Sequence, residues 1–171
     1  LGEDYANLLQ TAHDNGWIDV EETEGKRSGA YSVAVYDTHP YVLLNYQKTT
    51  HDVFTIAHEM GHSIHSYFSN KTQPYFKADY KIFVAEVAST VNELLFSHRK
   101  LNECQSDAEK LSILDGLMET YKGTLFRQTM FAEFELFMHE AVEAGNPLTA
   151  DFLSEKYLEL NQLYYGKSVN S

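Results

Sequence analysis

The chain has 171 residues, 43% of them apolar and 13% aromatic, which predicts one globular domain over 1–171 and excludes a disordered or low-complexity scaffold. Its formal net charge of -12 repels phosphate backbones and so excludes nucleic acid as a partner. No apolar run approaches the roughly 20 residues of a membrane span, and the single cysteine, Cys104, forbids an internal disulfide and fits the cytoplasm. In chain order, Tyr5, Leu8, Leu9 and Ala12 recur at helical spacing, so 2–15 reads as a helix stopped by Gly16. The opening LGEDYANLLQ lacks the regions of a signal peptide and an initiating Met, so the chain is expected to be either processed or a piece of something longer. AYSVAVY (30–36) and YVLLNY (41–46) are β-branched and aromatic, and four residues separate them, which predicts a β-hairpin. From Thr50 onward the pattern is helical: 52–68, a loop around Pro74, then 80–99. Ser106-Asp107-Ala108-Glu109 is a capping box opening a helix from 107 to about 122. Gly123 interrupts or kinks the chain before a helix over 124–144, Gly145-Asn146-Pro147 stops it, and Thr149 caps a last helix ending before Gly166.

The chemistry concentrates in His58-Glu59-Met60-Gly61-His62, an H-E-x-x-H sequence. On a helix the two histidines lie about 40° apart and roughly 6 Å along the axis, so both can reach one ion at a Zn–N distance of about 2.0–2.1 Å. Glu59 is turned about 100° away, out of that coordination sphere but within reach of a water beside the ion. Val53, Ala57, Met60, Ile64 and Tyr67 form an apolar stripe to one side, and Glu59 lies to the other with Thr55 and Ser63. The histidines therefore sit where core meets polar face, as on a helix that lines a cleft. His65 repeats the face one turn beyond and reads as a packed or supporting histidine. The plain alternative is a surface helix that happens to carry two histidines and a glutamate.

A catalytic zinc has three protein ligands and one open position. The metzincin spacing would put the third at residue 68, which is Phe68, so that class is excluded. The helix over 80–99 carries Glu86, Thr90 and Glu93 on one face. Two inward carboxylates need partners: zinc suits one, and a ligand histidine N–H suits the other. A narrow solvated face is the competing reading.

IAHEMGHSIH (56–65) followed by FVAEVASTVNE (83–93) closely resembles the oligoendopeptidase F family of zinc metallopeptidases, within the thimet oligopeptidase group. The resemblance extends through GKRSGAYS (25–32), HPYVLLNY (39–46) and GTLFRQTMFAEFE (123–135). It implies a mainly α fold of gluzincin type, HExxH plus a downstream Glu, with one small β-hairpin. It implies one Zn2+ ion on His58, His62 and Glu86, Glu59 as general base, and Glu93 as a supporting residue. GKRSGAYS resembles the segment beside the family's substrate cleft. Gly29, Ala30 and Tyr31 are therefore expected to pair with an extended oligopeptide by strand addition; the other reading is a strand paired only within the protein. Family members are several times longer and carry an N-terminal helical region and a C-terminal segment with His and Tyr residues. Tyr164 and Tyr165 come too early for that role, so the sequence reads as a central catalytic fragment.

The expected reaction is hydrolysis of internal peptide bonds, with zinc as Lewis acid and Glu59 moving the proton. Two other classes compete: a zinc-binding helical module without catalysis, and a peptide-binding domain without metal. A shortened chain also exposes apolar surface, which predicts self-association.

Overall fold

The computed structural model describes residues 2–169 and opens on helix α1 (Glu3–Asp14), where the sequence predicted one. The expected hairpin is present but short. β2 (Tyr31–Val33) pairs antiparallel with β3 (Tyr41–Leu43), Ser32 opposite Val42. A third strand was not expected. β1 (Ile18–Asp19) runs parallel to β3, with Val42 N–H donating to the Trp17 carbonyl at 2.8 Å and Leu44 N–H to that of Asp19 at 2.8 Å. The order β1-β3-β2 leaves β2 at an edge.

Helix α2 (Thr50–Thr72) is longer than the 52–68 read from periodicity. A capping box sets its start: the Thr49 hydroxyl accepts from Asp52 N–H, and the Asp52 carboxylate accepts from Thr49 N–H at 2.8 Å. The predicted loop around Pro74 contains a one-turn helix, α3 (Tyr75–Ala78), with Pro74 at its N-cap. Helix α4 (Ile82–Glu103) follows.

The core lies under the sheet. Met60 and Ile64 of α2 meet Ala12 of α1, Trp17, Val42 and Leu44, all buried, with Tyr67 packed at the margin. Each fully buried aliphatic or Met side chain here contributes about 1.5–3 kcal/mol. This is the apolar stripe of α2 doing what its spacing predicts. The opposite side of α2 departs from expectation. Ser63 is fully buried rather than on a polar face, because β2 lies across it and Ser32 Oγ reaches Ser63 Oγ at 2.8 Å.

α2 and α4 pack antiparallel, with Phe54 against Phe96 at one end and Gly61 against Ser89 near the middle. A Cβ on Gly61 would lie 2.7 Å from Ser89 Cα and 2.8 Å from the Ala88 carbonyl oxygen. Only glycine allows this approach. The face of α4 turned to α2 is small and polar: Ala85, Ser89, Asn92 and Ser97 are buried.

The described residues form two compact units, one ending at Glu103 and one beginning at Cys104. The second has its own side-chain packing. It comprises α5 (Asp107–Tyr121), a π-helical turn (Lys122–Phe126), α6 (Arg127–Glu143) and α7 (Ala150–Tyr165). The π-turn replaces the kink expected at Gly123. The Ser106 hydroxyl accepts from Glu109 N–H as predicted, but the Glu109 carboxylate reaches Gln105 N–H instead of closing the box on Ser106. Gly145 adopts φ 80, left-handed backbone that glycine reaches without strain, and Thr149 caps α7 through Phe152 N–H. Phe137 packs on Phe152, and Phe134 on Tyr157.

Candidate metal centre and active site

His58 and His62 stand one turn apart on α2, and Glu86 projects from α4. His58 Nε2 and His62 Nε2 are 3.1 Å apart, and Glu86 Oε2 lies 3.6 Å from the first and 3.7 Å from the second. A point equidistant from the three atoms is about 2.0 Å from each, within the range of about 2.0–2.2 Å that zinc keeps to His nitrogen and carboxylate oxygen. The three residues could hold a metal ion. The Glu86 side chain is 48% exposed, so the group is open on its side.

The partners of the histidines select their tautomers. His58 Nδ1 hydrogen-bonds Glu93 Oε1, which leaves Nε2 as the lone-pair atom facing Glu86. The same bond to Glu93 is the main reason the His58 ring is held above its ordinary pKa. His62 is shifted down, first by burial and then by the charge of His58, with the charge of Glu86 and a hydrogen bond to the Ala85 backbone pulling the other way. Ser89 Oγ donates to Glu86 Oε2 at 2.9 Å and holds that carboxylate.

Glu59 lies outside the triangle and is buried at 7% exposure. Burial pushes its carboxyl up, with the charge of Glu86 adding; His58 and a hydrogen bond from Ser32 N–H pull the other way. Val42 and Leu44 spend their N–H groups on β1, so β3 alternates and Ser32, opposite Val42, turns its backbone groups to the outer edge of β2. Glu59 thus sits against the edge strand.

The other predicted residues are placed as follows. His65 stacks on Tyr80 with ring centroids 4.0 Å apart, and its buried Nδ1 has no hydrogen-bond partner among the described residues. It touches neither histidine of the triangle through any hydrogen bond described. Gly29 precedes β2, and its carbonyl accepts from Asn45 Nδ2 at 2.8 Å. Ala30 packs at the core margin, and Tyr31 opens β2 half-exposed. Gly29 and Ala30 also line a cleft of about 350 Å3 with Thr55, one turn before Glu59 on the same face of α2.

The sequence model of Peptidase family M3 matches residues 2–171. The chain belongs to Peptidase family M3. It is 48% identical over 169 residues to oligopeptidase PepF of Bacillus subtilis, covering 99% of this chain and 25% of that relative. It is 50% identical over 169 residues to the chromosomal oligoendopeptidase F of Lactococcus lactis subsp. cremoris, covering 99% and 28%. The crystal structure of a candidate peptidase from Chlamydophila abortus superposes with a TM-score of 0.81 at 50% identity, over 97% of this chain and 28% of that one. The chain therefore spans about a quarter of the length of these relatives. The expected resemblance is borne out, as is the mainly α fold with a small sheet. No helix among the described residues is long and apolar enough to cross a membrane.

Sequence reasoning overlooked three residues of this M3 chain. Gly61 is an x of HExxH and reads as filler, yet it sets the distance between α2 and α4. Ser63 reads as polar-face, and Asn92 as one more polar residue on α4; both are buried and bonded across elements. An Asn directly before the glutamate that braces a histidine was the available signal.

Proposed function

We propose that this chain carries the metal centre of a zinc-dependent endopeptidase that cleaves internal bonds of oligopeptides in the cytoplasm. The observation that carries the reading is the convergence of His58 Nε2, His62 Nε2 and Glu86 Oε2 beside a buried Glu59, in a chain of Peptidase family M3. One zinc ion would be held by His58, His62 and Glu86, and when bound it supplies Lewis acidity at neutral pH. Glu93 fixes the His58 ring so that Nε2 faces inward. Glu59 takes a proton from the attacking water as that oxygen bonds to the peptide carbonyl carbon. It returns the proton to the nitrogen as the C–N bond breaks. The outer edge of β2, around Gly29, Ala30 and Tyr31, offers backbone groups to an extended peptide lying past Glu59. His65 supports the helix through its stack on Tyr80.

The test is cleavage of a quenched fluorescent oligopeptide with and without a zinc chelator, alongside metal analysis. Glu59→Gln should keep zinc and lower turnover by about 10²–10⁴; Glu86→Ala should lose zinc. The reverse pattern, metal lost in Glu59→Gln and kept in Glu86→Ala, overturns the assignment. A second reading rests on the chain spanning about a quarter of its relatives' length: a zinc-binding unit without turnover. A folded, zinc-loaded sample that cleaves nothing supports it.

A further inference from the structure

Asn92 is buried at 7% exposure in α4, between two other helices. Its Nδ2 donates to the Ala57 carbonyl of α2 at 2.5 Å, and its Oδ1 accepts from the Tyr5 hydroxyl of α1 at 2.8 Å. The Ala57 carbonyl fixes the orientation of the amide, because a flipped group would set carbonyl against carbonyl there. The position requires one donor and one acceptor on a short stem. Among the short side chains, the Asn amide meets both demands at once. Ala57 already lies in the α2 ladder, so this is a second hydrogen bond to an occupied carbonyl. Gly61 makes it reachable by letting α4 come close.

The two ends of this bond adjoin the two ends of another. Ala57 precedes His58 and Asn92 precedes Glu93, and His58 Nδ1 is bonded to Glu93 Oε1. A slip of α4 along α2 by one residue's rise of about 1.5 Å would break both bonds. The Glu93 carboxylate, on a flexible stem, does not hold that register by itself. The Asn92 amide, buried and bonded on both sides, does.

We propose that Asn92 is a positioning residue of the metal centre: braced by Tyr5, it locks the register of α4 on α2 so that Glu93 holds the His58 ring. This deepens the metal reading above and rests on it. The effect runs through Glu93 and is therefore visible as a coupling between the two positions.

The experiment measures zinc affinity of the purified chain by competition with a chromogenic chelator, at a temperature where each variant is folded by circular dichroism. Asn92→Leu should lower the affinity about tenfold, the lower end of the effect of supporting residues at metal sites, and Glu93→Gln by about 10–100-fold. In Asn92→Leu/Glu93→Gln the Asn92 effect should vanish, since nothing is left for it to position. Equal loss from Asn92→Leu with and without Glu93 overturns the proposal, as does a variant with lowered melting temperature and unchanged zinc affinity. Should Asn92→Leu not fold, Tyr5→Phe takes its place. It removes only the bond that braces the amide, and a loss of about threefold that disappears in the Glu93→Gln background supports the proposal; no loss overturns it. Absence of zinc binding in the unmodified chain would overturn the metal reading itself, and this arm is read separately from the variants.

Discussion

α2 and α4 are similar in length and both contribute to the metal centre, but they bury opposite kinds of surface. α2 turns Met60 and Ile64 into the core and leaves its histidines at the border. α4 turns Ala85, Ser89, Asn92 and Ser97 inward, while Phe83 at 82% and Val87 at 53% stay exposed. The difference teaches that the two helices are held by different forces. α2 is anchored by apolar burial, and α4 is located on it by close approach and by hydrogen bonds. A helix that must bring two carboxylates to fixed points gains more from the directionality of hydrogen bonds than from a greasy face that can slide.

The largest effect should come from the anchor. Met60→Ala removes a side chain that is 2% exposed and should cost about 2–5 kcal/mol in urea unfolding; a cost below 1 kcal/mol would mean that α2 is not held by its core. Next is the contact between the helices. Gly61→Ala places a Cβ against backbone, which yields poorly, and should cost about 1–3 kcal/mol while weakening zinc binding. Gly116 in α5 has no atom within 4 Å of the same added carbon, so Gly116→Ala should stabilise by about 1 kcal/mol. Equal effects at the two glycines would break the argument from close approach.

Smaller effects belong to the cap. Thr49→Ala should cost about 1 kcal/mol by thermal melting. Thr49, through its N–H and then its hydroxyl, holds the Asp52 carboxyl below its ordinary value of 3.8. A lowered folded value gives stability that is present above the ordinary value and lost as pH falls through the lowered one. The melting-temperature gap between Asp52→Asn and the unmodified chain should therefore shrink between pH 7 and pH 3; a gap independent of pH would remove the charge from the account. Smallest of all, Phe83→Ser should change stability by within about 0.5 kcal/mol. Its effect should instead appear as reduced self-association by light scattering.

The residues whose meaning is local were legible. Ser106, Gly145, Pro147 and Thr149 mark helix ends through backbone groups a few residues away, and HExxH brings two histidines together by helical period alone. What escaped depends on partners distant in sequence. β1 is two residues long and exists only because β3 offers it a parallel edge. Ser63 looks solvent-facing until β2 covers it. The Asn92 amide has meaning only once Ala57 and Tyr5 stand on either side. α4 misleads outright, because most of its large residues lie outside, Phe96 excepted, and its small ones inside. The meeting of His58, His62 and Glu86 falls between these cases: the spacing of the histidines is local, and the arrival of Glu86 is not.

His58 is addressed from both sides of its ring by one rod, Glu86 toward Nε2 and Glu93 at Nδ1. The two glutamates are seven residues apart, roughly 10 Å along the helix axis, and their side chains lean toward each other over a single imidazole. Neither contact can be adjusted by moving α4 without disturbing the other. The arrangement works as a two-point clamp: whatever loosens the grip at one nitrogen of the ring loosens it at the other.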